Sequence, residues 1–282
     1  MNIGVNFFGP KFELYRDFDG TLEALKDRGF TSAEICVAFA GGGEPPKELN
    51  LQLPPEVLAA MKGGIWNREV AERRLQAVRA HGLAVISAHI MLGFSFEPQL
   101  LIDLLPELAA FGRENQISYF VLSPMKGLAE MKPLVPALRQ LSDGLAQAGI
   151  SLVIHNHETE CIVEDGTTAL DYVLEQCPEL KLELDVGWAK FAGADPVELM
   201  KKYRERLVLL HFKDIRADAS PATRHTCCTA VGEGSIPLKE ILAEAKNCPI
   251  AHHGLIIDQD DSPTDILADL AIGVANICEN AV

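Results

Sequence analysis

Short apolar runs of strand length alternate along this chain with longer segments whose apolar residues recur every three or four positions. The runs at 2–7, 32–37, 84–89, 119–123, 150–155, 181–185, 207–211 and 254–258 predict eight strands. Helical patterns fill the intervals, at 17–28, 66–81, 99–115, 133–148, 168–176 and 236–247, with Gly29, Gly82 and Gly149 as stops. Asp195, Pro196 and Glu198 carry a cap, a first-turn proline and a capping-box acid, which starts another helix. Ser262-Pro263-Thr264-Asp265 repeats that logic before a last helix to about residue 278. Residues 40–64, rich in Gly and Pro, predict a long loop, and 214–235 a polar one.

Strands such as Ser151-Leu152-Val153-Ile154 are nearly continuous in apolar residues, as in a sheet covered on both faces. Eight strand-helix units without a break in composition predict an α/β fold, a (βα)8 TIM barrel forming one domain over 1–282. The rival is an open doubly wound sheet. Neither phosphate-cradling fingerprint of that rival, GxGxxG after the first strand or GxxxxGK[ST], occurs.

Composition narrows the partners. A formal net charge of -15 repels phosphate backbones, so no nucleic-acid partner is expected. Seven cysteines, an odd number without CxxC spacing, argue against a disulfide framework and for a cytoplasmic protein. The N-terminus lacks a basic segment followed by an apolar one, so no signal peptide is expected. No apolar run reaches the ~18 residues of a membrane helix, so no membrane partner is expected.

The chemistry gathers at strand ends. His155, Asp185, His211 and Asp258 close the fifth to eighth strands, at intervals of about one strand-helix unit. Each alone has a bland reading: a strand-end Asp caps helices, a His packs, and Asp258 opens the acidic stretch Asp258-Gln259-Asp260-Asp261. Together, at one end of successive strands, they predict a nitrogen and oxygen site for one divalent metal ion, Mn, Co, Zn or Fe. Glu160 and His157, just past the fifth strand, are candidate general bases, and Glu158 reads as an exposed loop acid. Lys213 shares the face of His211 and is a third catalytic candidate, or else a surface lysine paired with Asp214. Glu34, within the second strand, and His89, ending the third, are candidate substrate-binding residues, and a carboxylate there needs a partner. Trp188 offers an apolar face to a sugar ring, or packs in its loop. No GxSxG elbow occurs, and Cys227-Cys228 with His225 reads as loop.

The segments LVIHNHETE, LELDVGW, LLHFKD, VGEGSIP and IIDQDDSP, with Glu34 on the second strand, carry a resemblance. The whole chain resembles the xylose isomerase-like TIM barrels of the sugar phosphate isomerase/epimerase superfamily, which also includes endonuclease IV-type enzymes. That resemblance implies one metal at the barrel mouth, held by Glu, Asp, His and Glu from the last four strands. Asp185 and His211 match, whereas His155 and Asp258 stand where Glu is usual. The two-glutamate proton shuttle of the epimerases therefore lacks its side chains here. Two His and two Asp give the ligand set a charge of -2 instead of the usual -3, which makes the cation a stronger Lewis acid.

The activity implied is a metal-dependent isomerase or epimerase acting on a sugar, keto-sugar or cyclitol through an enediolate-type intermediate. A dehydratase or lyase on the same class of small-molecule carbohydrate, and a non-catalytic sugar-binding subunit, stand as alternatives. Endonuclease IV-type repair is disfavoured by the acidic charge and the small ligand set. A homo-oligomer is left open.

Overall fold

Eight parallel strands close into a barrel in the computed structural model, which describes residues 2–39, 63–92 and 96–281. They are β1 (Gly4–Asn6), β2 (Ser32–Ala38), β3 (Ser87–Ile90), β4 (Tyr119–Leu122), β5 (Ser151–His155), β6 (Lys181–Asp185), β7 (Leu207–Phe212) and β8 (Leu255–Ile257). Each pairs with its neighbours in sequence, and β8 returns to β1 through Gly4↔Ile256 and Val5↔Ile257. Such closure leaves the barrel without edges, and the consecutive parallel order is that of a (βα)8 barrel. The predicted loop at 40–64 lies, except for its last two residues, outside the described residues.

The strands are apolar on both faces because both faces are covered. A large cluster fills the space between sheet and helices, including Leu152, Ile154, Leu182, Leu184, Leu210 and Phe212. Each such side chain contributes about 1.5–3 kcal/mol on burial. A separate cluster of Val121, Val153, Leu209 and Ile256 forms an apolar floor inside the barrel. Above that floor the alternating inward positions turn polar. Register sets His155 beside Glu183, Glu183 beside Leu209, Asp185 beside His211, and Asn6 beside Glu34.

Local chemistry accounts for the helix boundaries. Asp17, Asn67, Thr168, Asp195 and Asp265 cap the helices that follow them through their side chains. Gly29, Gly82 and Gly149 lie at positive φ, the left-handed geometry of a helix stop. Two expectations need correction. Trp66 belongs to a short strand, Ile65–Asn67, which pairs with β2, so the helix starts only at Arg68. The helix expected over 99–115 is two, Pro98–Asp103 and Leu105–Asn115. Pro106 lacks the N–H that would bond back to the preceding turn, and its ring crowds the carbonyl four residues earlier. The polar loop after β7 carries a hairpin, Asp214–Ile215 with Cys228–Thr229, and a 3-10 turn, Pro221–Thr226. Among the described residues no helix is long and apolar enough to cross a membrane.

Candidate metal centre

Donor atoms of His155, Asp185, His211 and Asp258 all lie within 4.8 Å of one another, and all four residues are buried. His155 Nε2 stands 3.9 Å from Asp185 Oδ2, and His211 Nδ1 stands 3.2 Å from Asp258 Oδ2. Asp185 does two things at once. Its Oδ1 accepts the Trp188 N–H at 2.8 Å and so caps the helix Val186–Phe191, while Oδ2 is buried without a hydrogen-bond partner among the described residues. The Asn156 side chain clips β5 to β6, donating to the Asp185 carbonyl at 3.1 Å and accepting the Asp185 N–H at 3.0 Å.

Lys213 is fully buried. Its Nζ lies 3.0 Å from Asp258 Oδ2, 2.9 Å from Asp260 Oδ2 and 3.9 Å from Asp185 Oδ2. The surface pairing with Asp214 does not occur, because Asp214 accepts the backbone N–H groups of Ile215, Gly232, Gly234, Ser235 and Ile236. That carboxylate pins the VGEGSIP segment. Gly187 permits the helix after β6 to pass close to Lys213, since a Cβ there would stand 2.6 Å from the Lys213 carbonyl oxygen.

Glu34 and His89 lie one pleat deeper, with partners as a buried carboxylate requires. Glu34 Oε1 accepts from Asn6 Nδ2 at 2.7 Å and lies 2.9 Å from His211 Nε2 and 3.4 Å from His89 Nδ1. His89 Nε2 is 2.9 Å from Ser123 Oγ. The residue missed by sequence reasoning is Glu183, with Oε2 at 3.0 Å from His155 Nδ1 and Oε1 at 3.1 Å from His211 Nε2. Its signal was present: a carboxylate two positions before Asp185 on an otherwise apolar strand shares that residue's inward face.

The remaining candidates sit at the rim. His157 is partly buried, and its Nδ1 lacks a hydrogen-bond partner among the described residues. Its ring stacks on Trp188 at 5.6 Å and 28°. Trp188 is 3% exposed, with the Arg224 guanidinium 4.7 Å from its ring centre, so it backs His157 and does not stand open as a platform. Glu158, expected as a free loop acid, is paired with Arg224 (Nη2 to Oε2, 3.0 Å). Glu160 is buried with both oxygens engaged: Oε1 by the Lys126 N–H at 2.8 Å, Oε2 by the His157 N–H at 3.0 Å and Thr159 Oγ1 at 2.9 Å. Those bonds tie it to the strand-end loops.

Charge and burial compete throughout. Burial raises the Asp185 carboxyl to about 8 against the pull of Lys213. Burial, then the Glu34 charge, raises Glu183 to about 7. Burial opposes ionisation of Glu34 too, yet His211 outweighs it and holds Glu34 well below the usual range. Two carboxylates around one imidazole thus divide, one ionised and one poised to keep a proton. Burial disfavours the His211 cation, but Glu183 and Glu34 hold it well above its ordinary value. Burial, then the His211 charge, pushes His155 well below, and burial brings His157 down to about 4. Burial works against the Asp258 anion and the Lys213 cation, and their attraction for each other outweighs it in both.

The donor set fits a divalent cation. Two imidazoles and two carboxylates suit a borderline transition metal, and a buried carboxylate oxygen with no partner is costly unless something positive meets it.

No family model matches the chain. An inosose dehydratase of Geobacillus kaustophilus is 32% identical over 98 residues, 34% of this chain and 31% of that protein. An inosose dehydratase of Clostridium botulinum is 29% identical over 131 residues, 41% of this chain and 43% of that protein. The matches thus span less than half the length of these curated relatives. Among solved structures, a sugar phosphate isomerase/epimerase from Parabacteroides distasonis superposes with a TM-score of 0.74 at 17% identity, covering 100% of this chain and 95% of that one. The probable 3-DHS dehydratase AsbF from Bacillus anthracis gives 0.68 at 16%, covering 99% of both chains. The IOLI protein with a bound zinc atom gives 0.67 at 15%, covering 100% of this chain and 98% of that one. Closed through β8 and β1, the eight-stranded barrel has the fold of the xylose isomerase-like sugar phosphate isomerase/epimerase proteins that are its structural neighbours.

Proposed function

We propose that the protein is a metal-dependent dehydratase acting on a keto-cyclitol or keto-sugar. The observation that carries this reading is the unpartnered Asp185 Oδ2, buried within a four-donor cluster, with the His157 ring centred 5.1 Å from that of His155. A divalent cation (Mn, Co, Zn or Fe) held by His155, Asp185, His211 and Asp258 would supply Lewis acidity to a substrate carbonyl and acidify the adjacent C–H.

His157 is the base. Burial keeps its imidazole neutral, which leaves a ring lone pair to accept the proton. The electrons of the broken C–H bond form a carbon–carbon double bond as the β C–O bond breaks. The imidazolium returns its proton to the departing hydroxide, so the balance is loss of one water. Lys213, held by Asp258 and Asp260, steadies negative charge on oxygen. Trp188 fixes the His157 ring by stacking. One base that gives back the proton it took suits elimination. Glu160, whose oxygens hold backbone donors, organises the loop carrying that base.

The inosose dehydratase names among the partial relatives support the same class of substrate and reaction. An isomerase or epimerase is the second reading, supported by the full-length likeness to a sugar phosphate isomerase/epimerase. The test is nuclear magnetic resonance of keto-inositols and keto-sugars incubated in deuterated water with metal-loaded protein. Loss of water with appearance of an unsaturated ketone is expected. Deuterium entering the carbon beside the carbonyl without loss of water moves the assignment to isomerisation, and absence of both over a broad substrate panel overturns it.

A further inference from the structure

We propose that Glu183 and Glu34 are positioning residues that impose opposite tautomers on the two histidines of the metal centre, Glu183 holding Nδ1–H on His155 and Glu34 holding Nε2–H on His211. The inference rests on the metal reading given above. The two rings present different nitrogens to the same carboxylate: His155 Nδ1 lies 3.0 Å from Glu183 Oε2, and His211 Nε2 lies 3.1 Å from Glu183 Oε1. The hydrogen bond of His211 Nε2 goes to Glu34 Oε1 at 2.9 Å, and Glu183 Oε1 stands nearby without a hydrogen-bond partner among the described residues. The outward nitrogens are then His155 Nε2, facing Asp185 Oδ2, and His211 Nδ1, facing Asp258 Oδ2. A neutral imidazole whose inner nitrogen carries the proton offers its lone pair only at the outer one. Two carboxylates, a single pleat beneath the mouth, thereby aim two lone pairs at one point between β5, β6, β7 and β8.

The number of donors favours a cation above Glu183 over one beside it. Glu34, Glu183 and His211 also offer three donors within 4.8 Å of one another. A cation in that lower trio would take His211 Nε2 and leave Asp185 Oδ2 buried and bare. A cation at the mouth meets four donors where the lower trio offers three, and Glu183 Oε1 and Glu34 Oε2 stay without hydrogen-bond partners beneath it.

The test uses the whole protein in two states. In the metal-free protein, nitrogen-15 correlation spectra are expected to show His155 protonated at Nδ1, and Glu183→Gln to redistribute that proton between the two nitrogens. In cobalt-loaded protein, Glu183→Gln is expected to weaken binding about 10–100-fold and shift the visible d–d bands, and Asp185→Asn to abolish binding. His155 found with its proton on Nε2 in the wild type overturns the proposal without any variant. Unchanged tautomers, affinity and bands in Glu183→Gln overturn it while leaving the metal reading intact. Abolished binding in Glu183→Gln with binding retained in Asp185→Asn places the cation in the lower trio and overturns it as well. A wild type that binds no cobalt rejects the metal reading, and the metal-free spectra still decide the role of Glu183.

Discussion

The Lys213 ammonium lies 3.0 Å from Asp258 Oδ2 with no solvent exposure, a buried ion pair at the rim of the polar layer. Asp260 holds the same ammonium from its other side at 2.9 Å. Removing one partner of such a pair leaves a bare buried charge. Lys213→Met is expected to lower unfolding free energy by about 3–5 kcal/mol, read from urea denaturation. A loss below about 1 kcal/mol would place Lys213 at an effectively hydrated position.

Asp185 separates two roles that one substitution can split. Asp185→Asn keeps an oxygen for the Trp188 N–H and removes the anionic oxygen without a partner. Metal content by elemental analysis is expected to fall to background, with the melting temperature of the metal-free protein nearly unchanged. Asp185→Ala is expected to lose metal as well, and about 1 kcal/mol with the helix cap.

Gly187→Ala probes the approach of helix to lysine. The added methyl would stand 2.6 Å from the Lys213 carbonyl oxygen and 2.8 Å from its Cβ. Backbone must shift to admit it, so Lys213 moves from Asp258. Weaker metal retention and a destabilisation of about 1–3 kcal/mol are expected from dialysis and thermal melts. Wild-type metal retention in a normally folded Gly187→Ala protein would disprove the coupling.

The acid limb of stability has a contributor far from the barrel mouth. Burial opposes the Asp171 anion, but Lys202 and the Tyr203 hydroxyl, which donates to Oδ1 at 2.5 Å, hold the carboxyl below its ordinary value. A depressed folded pKa stabilises the fold above the unfolded value, near 4, and that share is lost as pH falls through the folded value. Asp171→Asn is expected to melt lower at pH 7 and to lose less stability than wild type on acidification below about pH 4. Parallel melting curves across that range would refute the assignment.

Much of this was legible in one dimension. Strand alternation and unit spacing placed His155, Asp185, His211 and Asp258 at one end of successive strands, because the side-chain period of two and the consecutive order of a barrel are local rules. Asp195 and Asp265 announced their helices because a cap acts over three residues. What only the tertiary structure decided involves partners far apart in the chain. Glu34 meets His211 across 177 positions, Lys213 turns to Asp258 and Asp260 instead of its neighbour Asp214, and Glu160 takes the backbone of Lys126 from the preceding unit. Those pairings depend on the stagger of strands around the closed ring, which sets the height of each inward side chain. Sequence periodicity carries the direction in which a residue points, and ring closure supplies what it points at.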